Sequence, residues 1–197
     1  MKGKLLLLFC LMFPFFLFSQ VHIGISGGGG LDNMVSLRAS IPVEIALSKS
    51  LSLQPAFVFT QQHIPALLFR LGTLQDYRRA TVHYIGVPLV LKVRIPFESF
   101  IFYVMTGPQL AYATSLNVTY IEDGIFGSKK FDFERAQVSR WDASIVSGIG
   151  VEKVIRKNCK IRFELVHLLG LMDIDQRANS AIYTEGKVFN LGFMIPL

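Results

Sequence analysis

The chain has 197 residues, a formal net charge of +6, 51% hydrophobic residues and 17% charged ones. That length suits one domain, and basicity this modest does not point to nucleic acid. Beyond the N-terminal segment no apolar run approaches the ~18 residues of a membrane helix, which excludes an α-helical span and leaves strands to carry the apolar content.

Taken in chain order, the first element is an export leader. Lys2 and Lys4 precede an apolar run over residues 5–18, and small Ser19 supplies a cleavage position ahead of Gln20. As a helix that run would rise about 21 Å against roughly 30 Å of hydrocarbon, and Pro14 interrupts it. A cleaved signal peptide over 1–19 is therefore expected, followed by a single domain over 20–197. Loss of Lys2 and Lys4 takes the formal charge from +6 to +4. Cys159 is then the one cysteine left, so an intrachain disulfide is excluded.

Strict alternation follows. Leu37, Ala39, Ile41, Val43, Ile45 and Leu47 are interleaved with Arg38, Ser40, Pro42, Glu44, Ala46 and Ser48. Ile85, Val87, Leu89, Leu91 and Val93 alternate with Tyr84, Gly86, Pro88, Val90 and Lys92, and similar runs cover 51–60, 160–171 and 188–197. A period of two puts one set on each face of a strand. Eight strands are predicted, at roughly 20–28, 36–48, 50–62, 80–95, 99–116, 138–155, 159–171 and 185–197. Connections 48–50, 95–99 and 155–159 are tight, whereas 28–36, 62–79, 117–137 and 172–185 are long. Short turns at one end and long loops at the other predict an all-β, eight-stranded, antiparallel up-and-down transmembrane β-barrel in the outer membrane of a Gram-negative bacterium. Both termini and the tight turns would then face the periplasm.

The two faces divide by chemistry. Phe59, Tyr112 and Trp141 fall near the loop ends of their strands, and Phe100, Phe102, Phe163 and Phe193 near the turn ends, all on the apolar face, as interfacial girdles would. The opposite face carries Arg38, Lys92, Lys160 and Arg162 with Glu44, Asp142, Glu152 and Glu164. Equal numbers of each sign predict a paired network filling a narrow lumen, since unpaired buried charge is costly. A soluble barrel would place the apolar face inside. His167 is a polar exception on the outward face.

Three passages resemble the PorT-like outer-membrane β-barrel family of Bacteroidetes. They are His83-Tyr84-Ile85-Gly86-Val87-Pro88-Leu89-Val90-Leu91-Lys92, then Phe102 to Tyr112 with its Gly107-Pro108 step, then Gly148-Ile149-Gly150-Val151-Glu152 followed by Arg162-Phe163-Glu164-Leu165. The resemblance implies a barrel fold and an outer-membrane location without implying an activity. The family's named member is associated with type IX secretion.

Catalytic and cofactor signals are weak by comparison. Gly27 to Gly30 form a glycine run with no following Lys-Ser/Thr, so a flexible first loop is expected there in place of a phosphate cradle. His22, His63, His83 and His167 show no metal-ligand spacing, and no metal, cofactor or catalytic residue is assigned. A rim-active enzyme would have to draw on His63, Asp76 and Ser139. The expectation is a non-enzymatic barrel with a structural or interaction role, accessory to secretion or envelope organisation, with a narrow channel as the alternative. Arg70, Arg78, Arg79, Lys129, Lys130, Arg135 and Arg177 fall in or beside the long loops and are candidate contacts for lipopolysaccharide. Expected partners are outer-membrane lipid, lipopolysaccharide, the barrel-assembly machinery and a secretion-system or surface protein.

Overall fold

The structure, a computed structural model, describes residues 20–32, 35–65, 77–122, 125–155, 159–174 and 183–197. The leader over 1–19 and the candidates Arg70, Asp76 and Arg177 lie outside the described residues. Among the described residues, nine strands and one short helix follow in chain order: β1 (Val21–Gly30), β2 (Val35–Ala46), β3 (Leu51–Pro65), β4 (Tyr77–Phe97), β5 (Phe100–Glu122), β6 (Ile125–Phe131), α1 (Phe133–Ala136), β7 (Trp141–Val154), β8 (Lys160–Gly170) and β9 (Glu185–Pro196).

Eight of these strands close a barrel. Each barrel strand pairs antiparallel with its chain neighbours in the order β1-β2-β3-β4-β5-β7-β8-β9. The last strand returns to the first, with Ile23 opposite Ile195 and Gly29 opposite Phe189. Closure leaves no free edge, which a lipid environment requires because it offers backbone groups no water. The alternation read from the sequence sets the faces. Along β8 the even-numbered residues Lys160 to Gly170 point inward and are buried, while Ile161, Phe163, Leu165 and Leu169 are exposed.

The outward face is an apolar belt between aromatic rims. Tyr112 and Trp141 meet edge to face at 5.0 Å between ring centroids near the loop end, and Phe59 lies 5.7 Å from the His83 ring. Phe100, Phe102, Phe163 and Phe193 are exposed toward the turn end. Along β5 the rims are marked by Phe100 and Tyr112, twelve residues apart. For a strand tilted about 45° that spacing spans roughly 28 Å, close to the hydrocarbon thickness.

β6 lies outside the barrel and accounts for much of the long connection 117–137. The β5–β7 ladder stops at Tyr112 opposite Trp141, and beyond Leu116 β5 pairs with β6 instead. β3, β4, β5 and β6 therefore project past the barrel as a small sheet at the loop end. A bulge at Thr114, whose hydroxyl donates to the His83 carbonyl at 3.1 Å, shifts the β4–β5 register between His83 and Tyr84. The extra residue reverses the parity of β5: Gln109, Ala111 and Ala113 are buried below it, Leu116 and Val118 above it.

The glycine run departs from the loop expected for it. Gly27, Gly28 and Gly29 continue β1, paired with Ala39, Arg38 and Leu37 on one side and with Leu191, Asn190 and Phe189 on the other. At Gly28 a Cβ would collide with the Phe189 carbonyl and the Asn190 side chain, so the close approach to β9 selects glycine.

A filled lumen and a basic loop end as the candidate functional site

The interior is built in layers from inward positions of different strands. Nearest the turns, Glu44 of β2, Lys92 of β4, Glu152 of β7 and Lys160 of β8 form a closed ring of alternating charge. Lys92 Nζ lies 2.7 Å from Glu44 Oε2 and 2.5 Å from Glu152 Oε1. Lys160 Nζ completes the ring at 2.9 Å from Glu44 Oε1 and 3.6 Å from Glu152 Oε2. Arg94 adds a contact to Glu44 at 3.4 Å and donates to the Ser48 carbonyl. The ring's four residues are at most 5% exposed, so its ions are desolvated and depend on one another.

Next to the ring, Tyr103 turns its aromatic face to the Lys92 ammonium, 3.9 Å from ring centroid to Nζ, and donates its hydroxyl to Glu164 at 2.9 Å. Arg162 reaches Gln54 at 2.9 Å, Ser26 at 3.3 Å and Glu164 at 3.4 Å, crossing from β8 to β1 and β3. Arg38 donates to Gln109 at 3.1 Å and to Thr60 at 3.4 Å. Inward glycines make room for these bulky groups. A Cβ at Gly150 would strike the Tyr103 ring, and one at Gly192 would meet the Arg162 side chain.

Asp142 stands apart from the other lumen charges. It is buried beside the loop end and accepts a hydrogen bond from Thr184 at 2.7 Å, with no ion pair among the described residues. The interior on its loop side is apolar, which departs from the charge-filled lumen expected from the sequence. Ile64, Val82, Tyr84, Ala113, Leu116 and Val118 line a second core, and α1 sits on it through Phe133 and Ala136. Asp132 caps the helix by accepting from the Glu134 N–H at 2.8 Å, and Gln137 ends it in a left-handed conformation, φ 53°. Ser139 N–H donates to the Ile174 carbonyl at 2.8 Å, tying the segment after α1 to the one after β8. Ion pairs thus fill the turn-side half of the lumen and apolar side chains cover its loop-side mouth.

The basic candidates among the described residues occupy the loop end. Lys129 and Lys130 are exposed on β6, while Arg78 and Arg79 begin β4 and Arg135 lies in α1. Arg140 also belongs here: it is exposed, stacks 4.8 Å from the Phe133 ring and approaches the Tyr112 hydroxyl at 3.4 Å. The sequence reading passed over Arg140, Arg94, Tyr103, Gln54 and Gln109. Parity alone is a usable signal for four of them: Arg94 follows Lys92 by two residues, Gln54 follows Ser52 by two, and Tyr103 and Gln109 are both out of phase with outward Phe102.

The rim candidates have separate partners. His63 Nδ1 contacts the Thr81 hydroxyl at 3.1 Å, and the Ser139 hydroxyl donates to the Trp141 carbonyl at 2.9 Å. Among the described residues there is no group of three or more His, Cys, Asp or Glu side chains arranged to hold a metal ion.

The N-terminal β-barrel domain of Pseudomonas aeruginosa OprF superposes with a TM-score of 0.49 at 13% identity, covering 90% of this chain and 97% of that one. Pseudomonas aeruginosa OprG gives 0.48 at 10% identity, with coverages of 90% and 93%. Neisserial surface protein A gives 0.45 at 10% identity, with coverages of 91% and 96%. No curated protein matches the sequence. The family model for the outer membrane protein beta-barrel domain matches residues 19–176. The chain is a member of that family, an eight-stranded β-barrel of the outer membrane.

Proposed function

We propose that this protein is a non-conducting, non-enzymatic barrel that acts through its loop end, as a structural or interaction component accessory to secretion or envelope organisation. One observation carries the reading: the lumen is occupied by the Glu44–Lys92–Glu152–Lys160 ring and its mouth is covered by α1 and the apolar core beneath it. A barrel filled in this way offers no aqueous path, which leaves its surface for recognition. The PorT-like passages around Pro88-Leu89 and Gly107-Pro108 support placing it in that Bacteroidetes branch of the family.

In this reading the tight turns and both termini lie in the periplasm, and the loop end projects from the cell. Lys129, Lys130 and Arg140, with Arg70, Arg78, Arg79, Arg135 and Arg177, then meet the phosphates of lipopolysaccharide or an acidic surface of a partner. The test is co-purification from native outer membranes, with mass spectrometry of bound protein and glycolipid. Neutralising Arg78 and Arg79 together should reduce lipopolysaccharide carried through purification. Unchanged retention would count against the loop end as the contact.

A further inference from the structure

Among the described residues, a polar row crosses the outward belt away from the loop cations. Thr106 of β5, Ser147 of β7, His167 of β8 and Lys187 of β9 are consecutive partners in register across four adjacent strands. All four lie on the outward face, where the residues beside them along their strands are Val104, Pro108, Ile145, Ile149, Leu165, Leu169, Phe189 and, at the loop end, Glu185. Barrel strands are tilted, so a row of register partners runs obliquely to the membrane plane. This row begins at Thr106, six residues below the Tyr112 rim, and ends at Lys187, beyond which Phe189, Leu191, Phe193 and Ile195 continue the belt toward the turns.

The charged end of the row is asymmetric. His167 Nε2 donates to Glu185 Oε1 at 3.2 Å, so Glu185 already has a partner. The Lys187 ammonium has no hydrogen bond or ion pair among the described residues. Lys187 lies near the loop end of β9, with its N–H on Asp32 Oδ2 at 2.8 Å and Glu185 two positions away on the same face, yet its ammonium ends without a paired carboxylate and is open to an anion at the membrane interface. The row also opens onto a groove. The depression holding Ser147, His167 and Lys187 shares Val104, Ile149 and Leu165 with an apolar one continuing between Phe102, Val151, Phe163 and Phe189.

We infer that this row and groove bind one lipopolysaccharide molecule on the outer wall of the barrel. Its lipid-anchor phosphate is held by Lys187, its polar linkages lie along His167, Ser147 and Thr106, and one acyl chain lies in the groove. The inference rests on the proposed orientation, in which the loop end faces the lipopolysaccharide leaflet. It is separate from the loop contacts in its residues, none of which are loop cations. A phosphate supplies the anion that Lys187 lacks, and an acyl chain fits the apolar lining.

The experiment uses the full-length chain purified from native outer membranes in mild detergent, with folding verified by heat-dependent electrophoretic mobility. Bound glycolipid is quantified by mass spectrometry, and affinity is measured in nanodiscs of phosphatidylglycerol with added lipopolysaccharide. Lys187→Ala should weaken binding about tenfold, the scale of one charge-assisted contact. Ile149→Trp, which fills the groove without touching charge, should also weaken it, and Lys187→Arg should retain it. Loss on Arg78→Ala with Arg79→Ala but not on Lys187→Ala or Ile149→Trp would overturn this site and leave the loop reading standing. Loss on Lys187→Ala and Ile149→Trp but not on the arginine pair would do the reverse. Equal retention of phosphatidylglycerol in place of lipopolysaccharide would also overturn the inference.

Discussion

Lys92 and Glu152, sixty residues apart in sequence, meet at 2.5 Å inside the barrel, both fully buried. Neither charge has water to fall back on, so each depends on the other and on the remaining pair in the ring.

Removing one member should therefore cost more than an exposed ion pair would. Lys92→Met leaves Glu44 and Glu152 facing each other with Lys160 as their remaining shared lysine. A loss of about 3–5 kcal/mol is expected, the usual penalty for orphaning a buried charge. Urea unfolding of the barrel in lipid vesicles measures it. A change within the range of exposed pairs, roughly 0–1 kcal/mol, would show that the ring is not desolvated.

The Tyr103–Gly150 contact makes a second prediction. The tyrosine ring lies where a Cβ on residue 150 would have to go, and it is held by Glu164 and Lys92. Gly150→Ala should destabilise by about 1–3 kcal/mol through overpacking. In Tyr103→Leu the same glycine substitution should cost much less. A double-mutant cycle in vesicles reads the coupling, and additive effects would mean that the ring moves aside freely.

The cover at the mouth depends on a few apolar side chains. Phe133→Asp places a carboxylate in the core formed with Val82, Leu116 and Val118. It should release α1 without unfolding the barrel, because the strand ladders below Tyr112 do not involve it. Faster protease cleavage between β6 and β7, with unchanged electrophoretic heat-modifiability, is the expected pair of results. Unchanged cleavage would show that α1 is held by something other than this core.

The barrel itself was legible in the sequence for a physical reason. Lipid on one side and a narrow polar interior on the other impose a period of two that Leu37 to Ser48 and Lys160 to Leu171 display directly. Turn lengths supplied the strand number independently. Partner choice inside the lumen was not legible, because which inward residues meet depends on closure: Glu44 reaches Lys160 across 116 positions only once β1 has paired with β9. The Thr114 bulge was hidden too, since Ala113, Leu116 and Val118 are apolar on both sides of the parity change. Gly27 to Gly29 read as a loop by composition, and only the approach of Phe189 and Asn190 explains why a strand needs glycines there.

Planar-bilayer recording of the purified full-length protein tests whether the lumen is closed by the charge ring below and the apolar cover above. A closed lumen gives no stable conductance steps for the wild-type barrel across the physiological voltage range. Reproducible single-channel steps from correctly folded protein would contradict it.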